Sequence, residues 1–138
     1  MSISNYLDSV ARPFEGLAPW ILRLVLGVSF ILHGLGKFPL PPGNMVTWFE
    51  SMGIGAPEIV ASLVAVGEVG AGVAVILGGF LGGVGHLITR LGGGAVLVIM
   101  TGAFYLAHSD WFITQKLFMS EQIFLFALGA YFAIKGNN

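Results

Sequence analysis

An all-α integral membrane protein, a four-helix bundle with short amphipathic interfacial segments, is the expectation for this sequence. It rests on composition, on run length and on where the few charges fall. Of 138 residues, 56% are hydrophobic and only 9% are charged, against about a quarter charged in soluble domains. The mean hydropathy is +0.88. Four apolar runs, 17–36, 57–80, 86–108 and 117–134, each lie near the ~20 residues that cross a bilayer as a helix. They leave no soluble domain to place, so residues 1–138 read as a single membrane domain.

The elements follow in chain order. In residues 3–17, Ile3, Tyr6, Leu7, Val10, Phe14 and Leu17 recur at helical spacing with Asp8, Arg12 and Glu15 between them, the pattern of a helix lying on the membrane. The first run opens on "APW", where Pro19 suits a helix start and Trp20 an interface. With Asp8 and Glu15 ahead of it, this run is expected to stay as a signal anchor. "FPLPPG" is an extended connector that no helix crosses, and "NMVTWFESMGI" repeats the interfacial pattern with Met45, Trp48, Phe49 and Met52. The second run opens on Pro57, and "GGFLGGVGH" after it reads as a tight turn, making the second and third runs antiparallel neighbours. "HSDWFITQK" before the fourth run carries the tryptophan and polar residues of a headgroup crossing.

Several function classes fall away. The formal net charge of −1 offers no basic patch for nucleic acid. The absence of cysteine removes thiol catalysis, thiolate metal sites and disulfides. His33 and His108 share a level on different helices, but no spacing motif selects haem or another metal, and none is expected.

The intramembrane charges remain. Glu68, in "SLVAVGEVGAG", sits near the middle of the second run, and Arg23 lies close enough to the centre of the first to be read as its partner in a buried ion pair or proton site. His33 and Lys37, four apart, share a helix face. His108 and Glu121 fall near the same level. Small residues set the packing faces: Gly34, then Gly67 and Ala71, and Gly94 with Gly102. Arg12, Arg23, Arg90 and Lys135 fall on one side of an up-down bundle, with Lys37 and Lys116 on the other, which puts both termini in the cytoplasm.

"LRLVLGVSFILHGLGKF", "GEVGAGVAVILG" and "TRLGGGAVLVIMTGAFYLAH" together resemble the DoxX family of small four-helix membrane proteins, over roughly residues 20–135. The resemblance carries over to Arg23, His33, Gly34, Lys37, Glu68 and Arg90. Members include a subunit of a thiosulfate:quinone oxidoreductase, so the resemblance implies a multi-pass protein of the bacterial inner membrane with a link to quinones. Two functions stay open. One is an accessory subunit that docks in a larger membrane complex, such as a respiratory or electron-transfer assembly, beside other subunits or copies of itself. The other is a quinone-binding subunit of an oxidoreductase, with His33, Lys37, His108 and Glu121 as the candidate headgroup site. No covalently bound cofactor is expected, quinone is the candidate ligand, and the bundle is not expected to be catalytic alone.

Overall fold

The computed structural model describes residues 2–107 and 115–138. They form α1 (Ile3–Ala11), α2 (Leu17–Leu35), α3 (Gly43–Ser51), α4 (Pro57–Gly78), α5 (Gly83–Ala107), α6 (Gln115–Phe118) and α7 (Glu121–Lys135). The Ser2 hydroxyl accepts from the Asn5 N–H at 3.1 Å and starts α1. The expected helix over 3–17 stops short, at Ala11, and a 3-10 turn takes Arg12–Phe14. Pro13 is the cause, since it has no N–H to donate and its ring crowds the preceding turn. Neither α1 nor this turn buries a residue. Its apolar stripe is free to lie in a lipid interface.

The three helices α2, α4 and α5, of 19, 22 and 25 residues, are long and apolar enough to cross a membrane. α7 has 15 residues, about 22 Å at 1.5 Å per residue, and falls short of a ~30 Å hydrocarbon core. The fourth run is therefore divided. Ser120, in extended conformation, precedes the first-turn acid Glu121, and its hydroxyl donates back to the Leu117 carbonyl at 2.7 Å, which closes α6 and separates it from α7. At the other loop, only residues 79–82 leave the helices. Gly83 and Gly85 enter α5, and Gly85 does so with its bare backbone against the Gly78 carbonyl.

Packing runs α2 on α4, α4 on α5 and α5 on α7, with α3 resting on α4. Glycine sets how close the backbones come. A Cβ on Gly34 would meet the Ala65 carbonyl oxygen at 2.7 Å, and one on Gly27 would meet the Gly72 carbonyl oxygen at 2.9 Å. On the far side of α5, a Cβ on Gly93 would meet the Ala133 nitrogen at 2.6 Å and the Gly129 carbonyl oxygen at 2.8 Å. The small face of this helix thus runs through Gly92 and Gly93 rather than through Gly94 and Gly102, around which nothing lies within 4 Å. Two residues further on is about 200° further round the helix, which turns Gly94 away from the seam that Gly92 makes. Gly67 makes only ordinary contact with Ile99, and Ala71 is buried in the core with Leu26, Phe30, Val75 and Val96.

Burial is inverted relative to a soluble bundle. Ile21, Leu24, Val25 and Val28 of α2, Leu63, Val66 and Leu77 of α4, and Leu87, Leu91 and Val98 of α5 face outward. The buried polar side chains among the described residues are Arg23, Glu68 and Thr89. That is the arrangement lipid imposes, apolar outside with charge turned into the protein.

Candidate functional site

The up-down order gathers the polar side chains at two ends. At one, α2 finishes and Lys37 follows its last turn, with the side chain folded back. Its Nζ donates to Glu68 Oε2 at 2.8 Å and to the His33 carbonyl at 3.3 Å. Glu68 lies midway along α4 and is only 8% exposed. His33 Nδ1 faces the Ser29 carbonyl at 2.7 Å, and Nε2 faces Glu121 Oε1 at the start of α7 at 3.2 Å. A carbonyl can only accept, so Nδ1 carries a proton. The second contact is then a hydrogen bond only if His33 and Glu121 hold one further proton between them.

A cavity of about 120 Å³ opens beside these pairs, lined by Phe30, His33, Glu68, Met100, Ala103, Gln122 and Leu125. At roughly 30 Å³ per water, it has room for about four. Ligand sites usually run to about 300–1,000 Å³, so this one has room for the edge of a ring or a small polar group and not for a whole amphiphile. Three polar side chains on apolar walls give it both donors and acceptors.

At the other end the guanidinium of Arg23, 4% exposed, lies among neutral acceptors. It donates through Nη1 to the Val75 carbonyl and to Thr89 Oγ1, and through Nη2 to Asn137 Oδ1 at 2.8 Å. Trp20 and Phe132 offer ring faces 5.4 and 5.0 Å away, an electrostatically favourable setting for a cation. Asn137 completes the knot. It accepts from Thr89 Oγ1 at 2.7 Å, donates from Nδ2 to the Gly78 carbonyl at 2.8 Å, and donates its own N–H to His86 Nδ1 at 3.0 Å. This end therefore holds α2, α4, α5 and the chain beyond α7 together.

The expected pairing of Arg23 with Glu68 is thus replaced by Lys37 with Glu68. Helix register is the reason. Gly27 against Gly72 and Gly34 against Ala65 set Glu68 level with residue 31 of α2, about 12 Å along the axis from Arg23. Lys37 is nearer, and its four-carbon stem reaches back to the carboxylate.

Among the other residues singled out from sequence, Glu121 and His33 come together, and Arg90 donates from Nε to the Ala133 carbonyl at 3.0 Å. His108 lies outside the described residues. Thr89, Gln122 and Asn137 carried no sequence signal of their own. The seven-residue spacings Gly27–Gly34 and Ala65–Gly72 did carry the register that separates Arg23 from Glu68. Among the described residues, no group of three or more histidine, aspartate and glutamate side chains is placed to hold a metal ion.

Neither a curated protein nor a solved structure matches the chain. A family model does: DoxX matches residues 18–109, a segment that contains Arg23, His33, Lys37, Glu68 and Arg90 but neither Glu121 nor Asn137. That match covers more than half of the 138 residues, and with three membrane-length apolar helices it makes this chain an integral membrane protein of the DoxX family.

Proposed function

We propose that the protein is a quinone-binding subunit of a membrane electron-transfer assembly, with the cavity beside Glu68 and His33 taking the edge of the quinone ring. The observation that carries this reading is the cavity itself: a polar notch between apolar walls, bordered by the Lys37–Glu68 and His33–Glu121 pairs. A quinone, when bound, supplies two-electron chemistry coupled to proton uptake and release. The chain's own part is to bind and to manage protons. Gln122 orients a ring carbonyl, Phe30, Met100 and Leu125 keep water from the ring, and His33, with Nε2 facing Glu121 Oε1, stands in the cavity wall as the group that passes a proton. In this reading the electrons come from a partner subunit.

The test is binding of a short-tailed quinone to the purified protein in nanodiscs, followed by equilibrium dialysis. Ala103→Phe fills the cavity without altering a charge and is expected to abolish binding. Gln122→Leu removes one hydrogen bond and is expected to weaken binding about tenfold. Unchanged binding in a folded Ala103→Phe protein would overturn the reading.

A second reading is an accessory subunit without a ligand, docked through its exposed apolar faces. It draws on the Arg23 knot, whose hydrogen bonds join α2 to α4, to α5 and to the chain beyond α7. Larger subunits that co-purify in fixed ratio with the Ala103→Phe protein as well as with the wild type would favour it. Under either reading we propose that the Arg23 end faces the cytoplasm of a bacterial inner membrane, which the distribution of Arg12, Arg23, Arg90 and Lys135 supports.

A further inference from the structure

The connector between α2 and α3 folds over a groove of about 620 Å³. Its volume lies in the range of small-molecule sites, which the cavity at Glu68 does not reach. Pro39, Pro41 and Pro42 line it with fixed backbone φ, so the groove keeps its shape when empty. Phe38, Met45 and Trp48 give it apolar surface. Trp48 is held against Phe49, with ring centroids 5.3 Å apart, and Phe49 is buried.

Among the residues that line the groove, Lys37 alone carries a charge. Its ammonium is also bonded to Glu68 Oε2 at 2.8 Å, and Glu68 lines the cavity. One ion pair therefore joins the lining of a 620 Å³ groove to the lining of a 120 Å³ cavity. The same pair can serve either redox form of a quinone, because an ammonium donates to a quinone carbonyl or a quinol oxygen and a carboxylate accepts from a quinol hydroxyl.

We infer that the groove is a second subsite of the same site, the place where a quinone or quinol ring is held before its edge enters the cavity, with Lys37 the residue common to both. This rests on the reading of the cavity as a quinone site. On arrival a quinone carbonyl accepts the third N–H of Lys37, which keeps Glu68 as its partner, and a quinol hydroxyl can accept from Lys37 and donate to Glu68, so that neither charge is left unpartnered. The remainder of the ring and the first part of its tail lie along Phe38, Met45 and Trp48.

Trp48 supplies the readout. In a protein carrying Trp20→Phe and Trp111→Phe, Trp48 is the single tryptophan, and a short-tailed quinone in the groove quenches its fluorescence. The expected result is saturable quenching whose midpoint coincides with binding by dialysis. Lys37→Met is expected to raise that midpoint about tenfold, the loss of one charge-assisted hydrogen bond. Asn44→Leu, at an exposed groove position outside both ion pairs, tests the groove without touching the bundle and is expected to raise it about threefold. Binding by dialysis without saturable quenching of Trp48 overturns the groove and leaves the cavity reading standing. Absence of both binding and quenching overturns the two together.

Discussion

Lys37 and Glu68 are not equal partners. Glu68 is enclosed at mid-helix, whereas Lys37 stands just past the end of α2 with a stem long enough to reach an interface. Deleting the carboxylate leaves a lysine that can turn to water, and deleting the lysine leaves a buried carboxylate with nothing to replace its donor. Lys37→Met is therefore expected to destabilise the protein more than Glu68→Gln. The double variant should recover part of the loss, with a coupling of about 1–3 kcal/mol in a double-mutant cycle of unfolding in detergent. Additive losses would show that the two side chains do not interact.

At the scale of the element, glycine position decides tolerance. A side chain at Gly34 meets the backbone of α4 at Ala65 and Val69, which cannot move aside as a flexible side chain would. Gly34→Leu is expected to cost about 3 kcal/mol or more and to part α2 from α4. Gly94→Leu has open space and replaces a poor helix former, so it is expected to change stability by no more than about 1 kcal/mol. Thermal unfolding of the two proteins in one detergent makes the comparison. The helices themselves were legible from apolar run length, and α2, α4 and α5 begin and end within a few residues of the runs that foretold them. Two kinds of feature were not. Pro13 and Ser120 each cut an apolar stretch that periodicity alone carries through. The depth of Glu68 relative to Arg23 depends on the offset between two helices, which centring each run on the bilayer cannot supply. The cluster of His33, Lys37 and Glu121 was readable because those residues sit at helix ends, where a small offset leaves them together.

For the whole molecule, the two polar ends differ in kind. The Lys37 end is made of ion pairs beside open space, and the Arg23 end is a closed set of hydrogen bonds. The orientation proposed for them is open to a direct check, because the chain has no cysteine of its own. Single cysteines placed at Asn44 and Asn138 are expected to take a membrane-impermeant label from opposite sides of intact spheroplasts and inverted vesicles. Labelling of both from one side would refute the up-down arrangement. The closed end also imposes an order on biosynthesis. Asn137 leaves the ribosome 114 residues after Arg23, roughly 6–23 s later at about 5–20 residues per second. Throughout that interval α2, α4 and α5 can assemble through their glycine seams, but the guanidinium lacks Asn137. The bundle is thus built first by shape and locked afterwards, by one amide that arrives when the helices it joins are already in the membrane.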